Sequence, residues 1–160
     1  MPDDLPSPGT YLRKRREAQC LSIDDVAAIF GTVPSVPLAT RAAMLESIEA
    51  DLTPIDDSVI TALRKATELG SFRFDPNVLI RLIDMRAGSP LLSNAPRLCR
   101  TCACSENDAC VEGWPAATCG WRDDEVDLCT ACGPDDGDAG EETPPPANVP
   151  VNDQLGSAAA

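Results

Sequence analysis

The sequence contains no histidine, 4 % aromatic residues and three basic side chains after residue 90. Without imidazole, the commonest general base at neutral pH is missing, and so is every histidine-containing zinc site. A metal site in this chain is therefore all-thiolate, with a carboxylate in support. No apolar run approaches the roughly 18–20 residues that a membrane-spanning helix needs, so no membrane partner is expected. The opening Met1-Pro2-Asp3-Asp4-Leu5-Pro6 has neither the basic nor the apolar part of a secretory signal. A reducing cytoplasmic setting, in a bacterial host, is the expectation, and disulfides are disfavoured there.

Positive charge is also scarce. The 160 residues carry a net charge of −13, with 13 Lys and Arg against 26 Asp and Glu. Residues 1–90 hold 10 basic and 13 acidic side chains, and residues 91–160 hold 3 and 13. That balance argues against general coating of nucleic acid and leaves the N-terminal part as the region able to approach it. Enzyme chemistry has little support. The carboxylates lie in runs or near the C-terminus, and all-cysteine zinc sites are closed and structural.

Cysteine is what the chain has in excess. Seven of its eight cysteines fall between residues 99 and 132: Cys99, Cys102, Cys104, Cys110, Cys119, Cys129 and Cys132. The cluster opens and closes with a C-x-x-C pair, and each pair places two sulfurs on one tight turn. Two such turns supply the four thiolates of a tetrahedral zinc ion. Two allotments fit the count. Either Cys99, Cys102, Cys129 and Cys132 close one site and three thiols are left over, or one bridging thiolate lets seven sulfurs serve two ions. The expected cofactor is zinc, one or two ions. An iron–sulfur cluster, which uses the same ligands, is the alternative.

The rest reads as mainly α, a small five-helix bundle of helix-turn-helix type. Residues 1–9 form a flexible lead, 10–88 the helical domain, 89–96 a linker, 97–134 an irregular zinc-organised domain, and 135–160 a disordered acidic, proline-rich tail. Thr10 is expected to cap a helix over Tyr11–Gln19 that carries Arg13, Lys14, Arg15 and Arg16. Ser22, with Asp25 three residues later, opens a second helix with a near capping box, and Gly31 stops it. A third runs from Thr40 to Ala50. Thr53-Pro54 and Asp75-Pro76 start the fourth and fifth, which end near Gly70 and Gly88. Cys20 is expected to be a small buried residue at the first helix junction. Val111, Trp114, Trp121, Val126 and Leu128 are too few for a metal-free core in the cysteine-rich part, so metal binding there is folding energy.

Two stretches carry a family resemblance. Leu12-Arg13-Lys14-Arg15-Arg16-Glu17-Ala18-Gln19-Cys20-Leu21-Ser22-Ile23-Asp24-Asp25-Val26-Ala27, with Leu45-Glu46-Ser47-Ile48-Glu49-Ala50-Asp51, resembles the phage-repressor (Cro/repressor) helix-turn-helix family. The resemblance implies a structural ion pair between Arg16 and Glu49, and DNA contacts from the basic first helix and the start of the third. The segment between the second and third helices, Gly31 to Leu38, is longer than that family's turn. Leu98-Cys99-Arg100-Thr101-Cys102-Ala103-Cys104-Ser105, continuing to Cys119-Gly120-Trp121 and Leu128-Cys129-Thr130-Ala131-Cys132, resembles a cysteine-rich module of uncharacterised phage and prophage proteins.

Together these readings give a phage or prophage DNA-associated regulatory protein, acting in transcription regulation, with a structural zinc module. Its expected partner is double-stranded DNA, met by Arg13, Lys14, Arg15, Thr40 and Arg41. The alternative is an adaptor or inhibitor that binds a basic protein partner through its acidic zinc module and tail. Arg97, Arg100 and Arg122 offer either a second contact to nucleic acid, weakened by the surrounding acids, or N–H donation to thiolate sulfur. Oligomeric state is not legible.

Overall fold

The computed structural model describes residues 5–68, 72–89, 95–112 and 117–133. The expectations for the acidic tail over 135–160, for Gly70 as a helix stop, for Trp114 and for the linker over 90–94 lie outside these residues. Among the described residues the chain is mainly helical: α1 Pro8–Glu17, α2 Ile23–Ile29, α3 Leu38–Glu49, α4 Asp57–Glu68 and α5 Pro76–Arg86. Two short antiparallel strands follow, β1 Val111–Glu112 and β2 Ala117–Thr118, with Val111 opposite Thr118 and Glu112 opposite Ala117.

The helix starts follow their caps. The Ser7 hydroxyl accepts the Thr10 N–H at 3.2 Å and Pro8 takes the first helical position, so α1 begins earlier than Thr10. Thr10 thus receives the cap rather than supplying it. Ser22 and Asp25 form the full capping box of α2. Helix α3 starts at Leu38, two residues before Thr40, after a connection that includes the cis Val33–Pro34 bond. Helix α4 does not use Thr53-Pro54. Asp56 accepts the N–H groups of Ser58 at 2.9 Å and Val59 at 3.0 Å, and the helix begins after it. Asp75 caps α5 as expected, accepting from Asn77 and Val78.

The helix ends show why Cys20 is not buried. It adopts φ +55° and is exposed. Its N–H bonds to Glu17 O and the following Leu21 N–H to Arg16 O, which closes α1 with a left-handed residue. Asp51, at φ +59°, does the same for α3, and Gly88, at φ +74°, for α5. The Asp51 carboxylate also gathers three elements. It accepts from the Ser7 hydroxyl, from Gly9 N–H at 3.0 Å and from Arg86 at 2.6 Å. Gly9 is needed at this crossing, because a Cβ there would sit 2.2 Å from Ile48 O.

One buried cluster joins the helices through Tyr11, Leu12, Val26, Phe30, Leu45, Ile48, Leu63, Phe72, Phe74, Leu79 and Leu82. Leu98 and Ala103 of the cysteine-rich segment belong to the same cluster. That segment is therefore seated on the bundle. Its own interior is Leu128 surrounded by cysteines. Val111 and Val126 are exposed, so the apolar side chains of this segment contribute even less to an interior than their small number suggests.

Candidate metal centre

The cysteine-rich segment is built from tight turns. Ala103 N–H bonds to Cys99 O at 2.8 Å and Cys99 N–H to Cys104 O at 3.0 Å. Ala103, at φ +57°, reverses the chain between Cys102 and Cys104. A short helical turn over Thr130–Cys132 presents the second C-x-x-C, and a bridge between Trp121 and Cys129 joins it to the middle of the segment.

All eight cysteines are free thiols. The sulfurs of Cys99, Cys102, Cys129 and Cys132 lie within 4.8 Å of one another, and so do those of Cys102, Cys104, Cys110 and Cys129. Cys119 is adjacent, with its sulfur 3.7 Å from that of Cys104, and it accepts the Cys110 N–H at 3.1 Å. Sulfurs placed at about 2.3 Å around a tetrahedral ion stand about 3.8 Å apart. Cys102 and Cys129 are 3.7 Å apart, and Cys102 and Cys110 3.4 Å, so the donor set fits such an ion. Cys99, Cys102, Cys104 and Cys129 are buried while Cys110, Cys119 and Cys132 are partly exposed, so one side of the cluster faces solvent.

The crowding polarises the thiols. Hydrogen bonding from Cys102, then Cys104, draws Cys99 and Cys110 far below the ordinary thiol range. Cys104 is driven up, chiefly by Cys102. Burial pushes Cys129 up to about 12. A divalent cation held by either quartet would remove this competition among its four sulfurs, because it takes them as thiolates.

Two buried acids tie the centre to the helices. Arg15 is 1 % exposed and donates to Asp108 Oδ2 from Nε at 2.8 Å and Nη2 at 2.7 Å. Its Nη1 reaches Cys102 O at 3.4 Å and Cys110 Sγ at 3.7 Å. Burial works against the Arg15 charge, but Asp108 and Cys110 outweigh it and hold the guanidinium firmly protonated. Burial pushes the Asp108 carboxyl up, against the pull of Arg15 and Arg73. The second acid is Asp75. Beyond capping α5, it accepts from Ser105 Oγ and Asn107 Nδ2, each at 3.3 Å. Its backbone N–H donates to the Tyr11 hydroxyl at 2.9 Å. Burial raises the Tyr11 phenol, which stays protonated.

These contacts redistribute the basic residues. Arg15 is inside the molecule, so its expected phosphate contact is corrected. The cation instead neutralises an acid and a sulfur beneath α1. Lys14 donates to Arg100 O. Arg41 donates to Ala28 O at 3.3 Å and Phe30 O at 3.0 Å, closing the end of α2. Arg13 and Thr40 are exposed. Arg16 and Glu49 form a two-pronged pair at 2.8 and 2.7 Å, with side chains only 12 % and 10 % exposed. Arg97 lies over the Trp121 ring at 4.1 Å, Arg100 pairs with Glu125 and Asp127, and Arg122 with Asp124. Arg15, from another element altogether, is a guanidinium that reaches sulfur.

Sequence reasoning missed Asp108 and Ser105. A lone acid and a serine between cysteines carry no local signal, and their partners lie 93 and 30 residues away. No helix among the described residues is long and apolar enough to cross a membrane. Comparison with protein-family models, curated proteins and solved structures finds no match.

Proposed function

We propose that this chain is a DNA-associated regulatory protein of phage type. In this reading a zinc–thiolate module docks on a helix-turn-helix-like bundle and stiffens it. The observation that carries the reading is the Arg16–Glu49 pair, which locks the end of α1 to the end of α3. With α1 and α2 fixed behind it, α3 keeps Leu38, Ala39, Thr40, Ala43, Met44 and the acidic Glu46 exposed. A helix entering a major groove needs such a free face. Zinc is the metal that four thiolates in a closed site select most simply.

A specific observation favours a second reading, an adaptor for a basic protein partner. Lys14, Arg15 and Arg41 all spend donors inside the molecule, and the net charge is −13. Titration of fluorescent duplex DNA at about 50 and 200 mM salt separates the two. With Arg13 and one further cation on phosphate, affinity falls about tenfold across that range. Arg13→Ala then weakens binding with unchanged helicity. No binding at about 50 mM salt excludes the DNA reading and leaves the adaptor.

A further inference from the structure

We propose that the seven clustered cysteines hold two divalent metal ions in a single cluster, with Cys102 as the thiolate that bridges them. The inference deepens the metal–thiolate reading above and rests on it. Cys102 belongs to both sulfur quartets, and its sulfur stands 3.7 Å from Cys129 on one side and 3.4 Å from Cys110 on the other. Cys129 is common to both quartets as well, so they meet along the Cys102–Cys129 edge, and a single bridge at Cys102 requires Cys119 to replace Cys129 at the second ion. The first ion takes Cys99, Cys102, Cys129 and Cys132, the two C-x-x-C turns. The second takes Cys102, Cys104, Cys110 and Cys119.

Cys119 is placed for this role by the hairpin. With Val111 opposite Thr118, the residues just outside the two strands are Cys110 and Cys119. One backbone and one side-chain bond join them: Cys119 N–H donates to Cys110 O at 2.9 Å, and Cys110 N–H to Cys119 Sγ at 3.1 Å. The Cys119 sulfur is also one tetrahedral edge, 3.7 Å, from Cys104. Cys129 is the other sulfur within reach of the second ion. With Cys119 in that position, Cys129 serves the first ion alone and every sulfur is used. A single ion in the first quartet would leave Cys104, 1 % exposed, as an unligated thiol pressed against the site. Two dications and seven thiolates carry a net charge of about −3. Arg15 lies on the side of the second ion, at Cys110 Sγ and Cys102 O, and offsets part of it.

The test loads the full reduced chain with an NMR-active cadmium isotope, then reads stoichiometry by native mass spectrometry and connectivity by cadmium NMR. Two ions per chain are expected, with two tetrathiolate resonances split by coupling through the shared sulfur. Cys119→Ser is expected to lower affinity for the second ion at least tenfold and to leave the first in place. One ion per chain, or two uncoupled resonances, overturns the bridged cluster while the metal–thiolate reading stands. Two coupled ions with unchanged affinity in Cys119→Ser overturn the assignment of Cys119 and make Cys129 a second bridge. No bound ion overturns the metal–thiolate reading as well.

Discussion

Replacing Asp108 with alanine tests whether the metal centre and the helices are one structure. The substitution leaves Arg15 buried with only Cys102 O and Cys110 Sγ, at 3.4 and 3.7 Å, in place of two short charged hydrogen bonds. Arginine cannot shed its proton to escape. Breaking a buried pair from one side costs about 3–5 kcal/mol. The surviving sulfur contact places Asp108→Ala toward the low end, about 3 kcal/mol. Arg15→Met should cost less. It leaves a carboxyl that burial already pushes upward and that Arg73 still approaches, at 3.6 Å, so protonation limits the penalty. The double variant should recover part of the loss. The readout is urea unfolding in excess zinc, followed two ways. Both tryptophans, Trp114 and Trp121, lie in the cysteine-rich segment, and the helices lie before it. Fluorescence thus follows one part and far-ultraviolet circular dichroism the other. Wild type should show coincident transitions, and Asp108→Ala should separate them, with fluorescence changing first. A change below about 1 kcal/mol with transitions still coincident would refute the buried pair and the docking it supports.

Three further outcomes follow from the same contacts. Glu49→Ala should cost about 3 kcal/mol, because Arg16 is left nearly buried with Leu21 O and the more distant, exposed Glu17 carboxylate, at 3.7 Å, as its remaining partners, and a neutral urea midpoint would contradict this. Gly9→Ala should destabilise by about 1–3 kcal/mol, since its Cβ meets Ile48 O at 2.2 Å and the crossing of α1 over α3 must open, and an unchanged melting temperature would show the crossing is loose. The Ser22 hydroxyl and N–H bond the ionised Asp25 and hold its carboxyl below the ordinary range. The stability this gives is full above the usual carboxylate pKa and is lost as pH falls through the depressed value. The urea midpoints of wild type and Asp25→Asn should therefore differ at pH 7 and converge on acidification, and a constant gap would argue against the cap.

Helix type and order were legible because each helix announces itself locally. Ser22 with Asp25 and Asp75 with Pro76 are caps readable within four residues, and Val59, Ile60 and Leu63 repeat at helical spacing. The errors arose where two signals competed. Thr10 gave way to Ser7 and Pro8, which stand in the stretch read as a flexible lead, and Thr53-Pro54 lost to Asp56, whose carboxylate catches two N–H groups at once. The cysteine spacing conveyed which sulfurs gather closely enough to hold an ion, since C-x-x-C turns are local. It could not convey the docking. Leu98 and Ala103 join the helical core, and Arg15 turns inward, only because Asp108 and the sulfurs gather a folded chain's length away. A basic run on an amphipathic helix has the same pattern whether its partner is a phosphate or a buried acid.

In the proposed reading, thiolate-bound metal folds residues 98–112 and 117–132 against α1. Hydrogen–deuterium exchange of the full chain, under reducing conditions, before and after exhaustive chelation, measures this directly. Amides over 98–112 and 117–132 are expected to lose protection on chelation, α1 around Arg15 to exchange faster, and α4 to be least affected. Unchanged protection over 98–112 and 117–132 after complete metal removal would contradict this reading.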